Sequence, residues 1–136
     1  MDTTLFDKSG EAIAYIASDY RGTIYLWEGE PVAYLHEETH VYGFNGRHLG
    51  WFVDGILYDH AGQRVGFLFS TCPVPSGEEP RKGKKYPAYE ARPKWTAPPL
   101  PKLTYALADQ GLAEFLAQGQ VLAYREESET EEESPD

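Results

Sequence analysis

Ile24-Tyr25-Leu26-Trp27-Glu28-Gly29-Glu30-Pro31-Val32-Ala33-Tyr34-Leu35 sets one glycine between two short apolar runs, and the same twelve-residue unit stands four times in the first half of the chain. The other copies are Leu5 to Ile16, Val41 to Phe52 and Leu57 to Leu68. They align on Gly10, Gly29, Gly46 and Gly62. Five residues before the glycine the chain is always aliphatic (Leu5, Ile24, Val41, Leu57), and the next residue is always aromatic (Phe6, Tyr25, Tyr42, Tyr58). Three residues after it comes an aliphatic residue (Ile13, Val32, Leu49, Val65), then a small one (Ala14, Ala33, Gly50, Gly66). An aromatic residue (Tyr15, Tyr34, Trp51, Phe67) and an apolar one (Ile16, Leu35, Phe52, Leu68) close the unit. Such a repeat means that one supersecondary unit is stacked against its own copies around a shared core.

Each unit reads as a β-hairpin, because the glycine falls where a tight turn needs a residue tolerant of positive φ. Glu28-Gly29 and Asn45-Gly46 read as two-residue turns. Asp7-Lys8-Ser9-Gly10 and Asp59-His60-Ala61-Gly62 read as four-residue loops opened by Asp and closed by Gly. Even loops preserve side-chain parity, so the early aromatic column is expected to share a face with the late aliphatic and aromatic columns, joined by Trp27 and Phe44. The leading aliphatic, the small residue and the last apolar residue take the other face. A residue no larger than alanine in every copy implies that another backbone or an aromatic ring passes close to it. Short connections favour antiparallel neighbours. The fold class is therefore mostly β: four repeated antiparallel β-hairpins with fourfold pseudo-symmetry, closed into a small barrel-like or flower-like ring, plus a proline-rich arm and one short C-terminal helix.

The segments Ile24 to Leu35, Val41 to Phe52 and Ile56-Leu57-Tyr58-Asp59-His60 resemble a bacterial family, the four-fold β-flower proteins. That resemblance implies a four-hairpin β fold and assigns no activity and no site residues.

Charge and proline content divide the chain. The expected units are a four-hairpin domain over 1–72, a basic arm over 73–103, a short helical segment over 104–120 docked on the domain, and an acidic, disordered tail over 121–136. Residues 1–70 carry ten acidic and four basic side chains, whereas seven of the twelve Lys and Arg lie between Arg81 and Lys102. Eight prolines between Pro73 and Pro101 forbid regular structure there and favour an extended path. The arm is thus a basic strap on an acidic protein, and its own body is the expected partner, with Tyr86, Tyr89 and Trp95 as anchors. Asp109 is expected to cap the helix, Leu112, Phe115 and Leu116 to form its apolar stripe, and Gly119 to end it. Nothing at the N-terminus reads as a signal peptide, and no run reaches the length of a membrane span. A single cysteine, Cys72, leaves no intrachain disulfide and points to the cytoplasm. It reads as a small apolar packing residue.

Three chemistries compete with packing as readings of the remaining motifs. His36-Glu37-Glu38-Thr39-His40 matches the zinc-protease pattern H-E-x-x-H, but that chemistry needs both histidines one turn apart on a helix, and here the letters connect two strands. His36 and His40 are the candidate metal residues, with no metal or other cofactor expected. His48 and His60 read as surface residues near turns. Arg81-Lys82-Gly83-Lys84-Lys85 with Tyr86, Tyr89 and Trp95 has the composition of a single-strand nucleic-acid site, disfavoured by the negative field around it. Pro98-Pro99-Leu100-Pro101-Lys102 fits a polyproline ligand for an aromatic groove. With no catalytic residue among the repeating columns, the expected function is a non-catalytic protein-interaction or scaffold module that binds a protein partner or self-associates through Tyr86, Tyr89, Trp95, Pro98, Pro101 and Lys102. The alternative is a small-ligand or metal-binding protein with a pocket at the pseudo-axis.

Overall fold

A computed structural model of the chain describes residues 2–121. The expected acidic tail lies, apart from Val121, outside the described residues. Among the described residues, eight strands form one closed antiparallel barrel in sequence order: β1 (Thr3–Phe6), β2 (Ala12–Ile16), β3 (Thr23–Leu26), β4 (Pro31–His36), β5 (His40–Gly43), β6 (His48–Val53), β7 (Ile56–Tyr58) and β8 (Arg64–Phe67). The helix α1 (Leu112–Ala117) follows the arm. The barrel closes through the single ladder pair Phe6–Phe67 between β1 and β8.

All four hairpins turn in the same way, and not by the two-residue and four-residue loops that the sequence suggested. In each, the glycine N–H bonds back to the residue three before it (Asp7, Leu26, Gly43, Asp59), and that residue's N–H bonds to the carbonyl one past the glycine. These are three-residue loops, a type I turn closed by a left-handed glycine. Each second strand also carries one bulged residue. Leu5 faces Ala14 while Phe6 faces Ala12, so Ile13 is the extra residue, and Val32, Leu49 and Val65 stand in the same place in the other copies. An odd loop and a bulge together overturn the parity expected above. The late aliphatic column goes inside: Val32, Leu49 and Val65 join the barrel core, and Ile13 packs against it.

The leading aliphatic column pairs directly with the small column, as Leu5–Ala14, Ile24–Ala33, Val41–Gly50 and Leu57–Gly66. The small column makes room for α1, whose Leu112, Phe115 and Leu116 are buried with it. A Cβ at Gly50 would meet the Phe115 ring at 3.0 Å and strike the Tyr58 carbonyl, and one at Gly66 would meet Leu112 at 2.9 Å. Among the described residues the pseudo-axis is therefore filled by side chains. The helix is capped two residues later than expected. Its N-cap is Gly111, whose N–H donates to the Glu114 carboxylate at 3.1 Å, and Gly119 ends it, packed on Gly43. Lys8 Nζ donates to the Ala108 carbonyl (2.7 Å) and Asn45 Nδ2 to the Gln118 carbonyl (2.7 Å), which places α1 at the end of the barrel where the hairpins turn.

Overpacking at the small column tests this arrangement. Gly50→Leu is expected to cost about 3 kcal/mol or more, because neither the Tyr58 backbone nor Phe115 can yield without opening the core. Glu38→Ala, on an exposed turn, is expected to stay within about 0.5 kcal/mol. Thermal midpoints of the two variants provide the measurement, and equal midpoints contradict the packing described.

Candidate functional site

The face of the barrel opposite the aliphatic core is aromatic, and the arm runs over it. Its path has a stride that the sequence reading missed. The N–H groups of Gly77, Tyr86, Trp95 and Thr104, each nine residues after the last, donate to the carbonyls of the four turn glycines, Gly10, Gly29, Gly46 and Gly62, at 2.6, 3.0, 2.8 and 3.0 Å. The arm is thus a second fourfold repeat, one nonapeptide per hairpin. It escaped notice because the anchoring atoms belong to the main chain, so Gly, Tyr, Trp and Thr serve equally.

Main-chain anchoring also changes the part assigned to the aromatic residues. Of the three expected ring anchors only Tyr89 is half-buried, against Phe44. Tyr86 and Trp95 remain 58% and 57% exposed, and Leu100 and Tyr105 are 56% and 87% exposed. Pro98 and Lys102 are exposed and Pro101 half-buried. Cys72 packs against the aromatic cluster of hairpins one and two, and its Sγ–H donates to the Asp7 carbonyl at 3.6 Å.

The two halves of the outer surface are closed by different groups. On hairpins one and two, Tyr15 stacks on Tyr25 and meets Trp27 edge-on. Lys82 Nζ lies 4.3 Å from the Tyr15 centroid, and Lys85 Nζ 5.2 Å from that of Tyr25. Lys82 also donates to the Asp2 carboxylate at 3.3 Å. Burial pushes the Asp2 carboxyl up, but the Lys82 hydrogen bond and the Lys85 charge outweigh it and hold the group below its ordinary value. Two of the four cations proposed for nucleic-acid contact are therefore already engaged by the barrel.

Around hairpins three and four the four histidines of the chain come together, three from those hairpins and His36 from the end of β4, which no motif had indicated. His40 Nδ1 and His48 Nε2 are 3.0 Å apart, and His48 Nδ1 and His60 Nε2 are 3.0 Å apart, so three imidazoles form a hydrogen-bonded row. His36 faces His40 across the β4–β5 ladder, with ring centroids 6.1 Å apart. The H-E-x-x-H letters run through a tight turn in which Glu37 and Glu38 hold φ of 55° and 63°, so the helix that zinc proteolysis requires is not there. Among the described residues no group of three or more His, Cys, Asp or Glu is arranged to hold a metal ion. His48, expected at the surface, is only 5% exposed, enclosed by Tyr42, Trp51, His40 and His60. Burial, then the neighbouring imidazoles of His60 and His40, push its pKa down to about 4. The repeat contained a clue to this cluster. His60 stands two before its glycine, in the column of Trp27 and Phe44, and His48 stands two after, opposite Tyr42.

The family model for the 4-fold beta flower protein matches residues 3–116, from the first strand through the arm and into α1. The chain belongs to that family. No curated protein and no solved structure matches this β-flower chain. In it the flower is completed twice, once by the hairpins and once by the arm. Among the described residues no helix is long and apolar enough to cross a membrane.

The His48 environment predicts a pH dependence of stability. Its folded pKa lies below the ordinary value of 6.5, so between pH 6.5 and about 4 the unfolded chain binds a proton that the folded chain refuses. This contribution is complete above about pH 6.5 and is lost as the pH falls, reaching about 2 to 3 kcal/mol. Denaturant titrations of wild type and His48→Gln at pH 7 and pH 4.5 measure it. The variant is expected to lose less stability on acidification than wild type does.

Proposed function

We propose that this β-flower protein is a non-catalytic interaction module in which the barrel is a rigid frame and the arm is the recognising segment. One observation carries the reading. The arm is held by its own backbone at every turn glycine, so Tyr86, Trp95, Leu100 and Tyr105 stay exposed on a fixed path. Tyrosine and tryptophan side chains, presented without an ordering cost, are among those that dominate protein interfaces. The partner is a protein, or a second copy of the chain, that offers an apolar groove to the proline-flanked Pro98 to Lys102 segment and to the neighbouring aromatic rings. The engagement of Lys82 and Lys85 with Asp2 and the tyrosines argues against nucleic acid as the partner. The filled axis argues against an axial ligand. The single cysteine supports the cytoplasm as the compartment.

Substituting Tyr86→Ser, Trp95→Ser, Leu100→Ser and Tyr105→Ser together tests the assignment, since none of the four contributes to the barrel core. Folding is expected to be retained within about 1 kcal/mol. Partner recovery after cross-linking in cell extract, or self-association in sedimentation, is expected to fall at least tenfold. If wild type and variant recover the same proteins and sediment alike, the arm is not the recognising segment.

A further inference from the structure

Neither the packing of the barrel nor the display of the arm requires three histidines in a row. Their geometry fixes how many protons they can hold. Each N···N contact, His40–His48 and His48–His60, uses one N–H and one lone pair. Three neutral rings carry three protons, two within the contacts and one on an outer nitrogen, either His40 Nε2 or His60 Nδ1. One added proton fits on the other outer nitrogen and leaves both contacts intact with one positive charge. A second added proton finds only nitrogens that already face an N–H. It must open a contact, and it places like charges on a row whose neighbouring rings have centroids 5.1 and 5.2 Å apart.

The arm between Trp95 and Thr104 is tied at both ends to groups that adjoin this row. At one end the Tyr42 ring lies against His40 and His48, with centroids 6.2 and 5.0 Å away, and its hydroxyl donates to the Trp95 carbonyl at 2.8 Å. At the other, His60 belongs to the fourth turn, whose Gly62 carbonyl receives the Thr104 N–H at 3.0 Å. We propose that the His40–His48–His60 row is a proton-counting latch: with at most one added proton it holds the arm span Trp95–Thr104 on hairpins three and four, and a second added proton opens a contact and releases that span.

The charged and titratable groups around the row are few. Glu37, in the turn after β4, pairs with His36 at 3.7 Å. Tyr42 lies on β5, and Arg47, in the third turn, stacks over Trp95 at 5.6 Å. The Asp59 carboxylate beside His60 already accepts the Ala61 and Gln63 N–H groups. Among the described residues no carboxylate pairs with His40, His48 or His60 to offset a second charge. The low pKa of His48 agrees with a row that resists the second proton until the pH is acidic. The latch does not depend on whether the arm recognises a partner.

Amide hydrogen exchange on the full chain at pH 7 and pH 4.5, corrected for intrinsic rates, tests the latch at the four anchoring amides. Protection at Trp95 and Thr104 is expected to fall about tenfold or more at pH 4.5, with Gly77 and Tyr86 unchanged. In His48→Gln the response at Trp95 and Thr104 is expected to vanish. Tyr42→Phe, which removes the hydroxyl bond but keeps the ring, serves as the second variant should His48→Gln fold poorly. It is expected to expose the Trp95 amide equally at both pH values while Thr104 still responds. The latch is overturned if no anchor responds, if all four lose protection together, or if both variants keep the wild-type response at Trp95.

Discussion

The small column of the repeat is the constraint on which the rest of this structure depends. Ala14, Ala33, Gly50 and Gly66 stand opposite the four leading aliphatic residues, and the space they leave is filled by Phe115, Leu112 and Leu116. A six-residue helix has no stability of its own in water, so α1 exists because it is buried. The barrel likewise closes through one ladder pair, Phe6–Phe67, and relies on a packed interior. The arm must then travel from β8 round the barrel and back to the turn end before the helix can enter. The arm's course therefore joins the closed barrel to the helix that fills it.

Main-chain atoms secure that path. A turn glycine in the left-handed region presents its carbonyl outward, and at Gly29, with φ of 107°, no side chain could stand between it and the arm. A nonapeptide stride lets one extended strand meet four such carbonyls in succession. The exposed aromatic side chains of the arm are thereby released from holding it in place. Lys82 and Lys85 settle on Tyr15 and Tyr25, while Tyr86 and Trp95 stay exposed.

Legibility in the sequence followed the kind of atom that bears each constraint. Side-chain columns repeat visibly, so the four hairpins, the closed ring and a close approach to the small column by another backbone or an aromatic ring could be read from the chain. Bulges and three-residue turns are main-chain features. An inserted Ile13 or Val32 looks like one more apolar residue, and the parity inferred from loop length failed there. The arm's stride was hidden for the same reason. The histidine row was missed because its members occupy three different columns, at His40, His48 and His60, and only the shared surface joins them.

The hairpins differ where their packing columns do not, and the difference falls between two halves. On hairpins one and two the arm is fastened by ammonium groups over aromatic rings and by the Asp2 carboxylate. On hairpins three and four the corresponding surface is built from imidazoles that hydrogen-bond to one another in a row. A uniform flower would hold its arm with equal strength at every turn. Placing His48 opposite Tyr42, where the other copies carry Ala12, Pro31 and Arg64, and His60 where two of them carry Trp27 and Phe44, makes one half of the fastening conditional and leaves the other permanent. The core columns are unaffected, because the pleat and the bulge put the imidazoles on the far face from Leu57, Gly66 and Phe115.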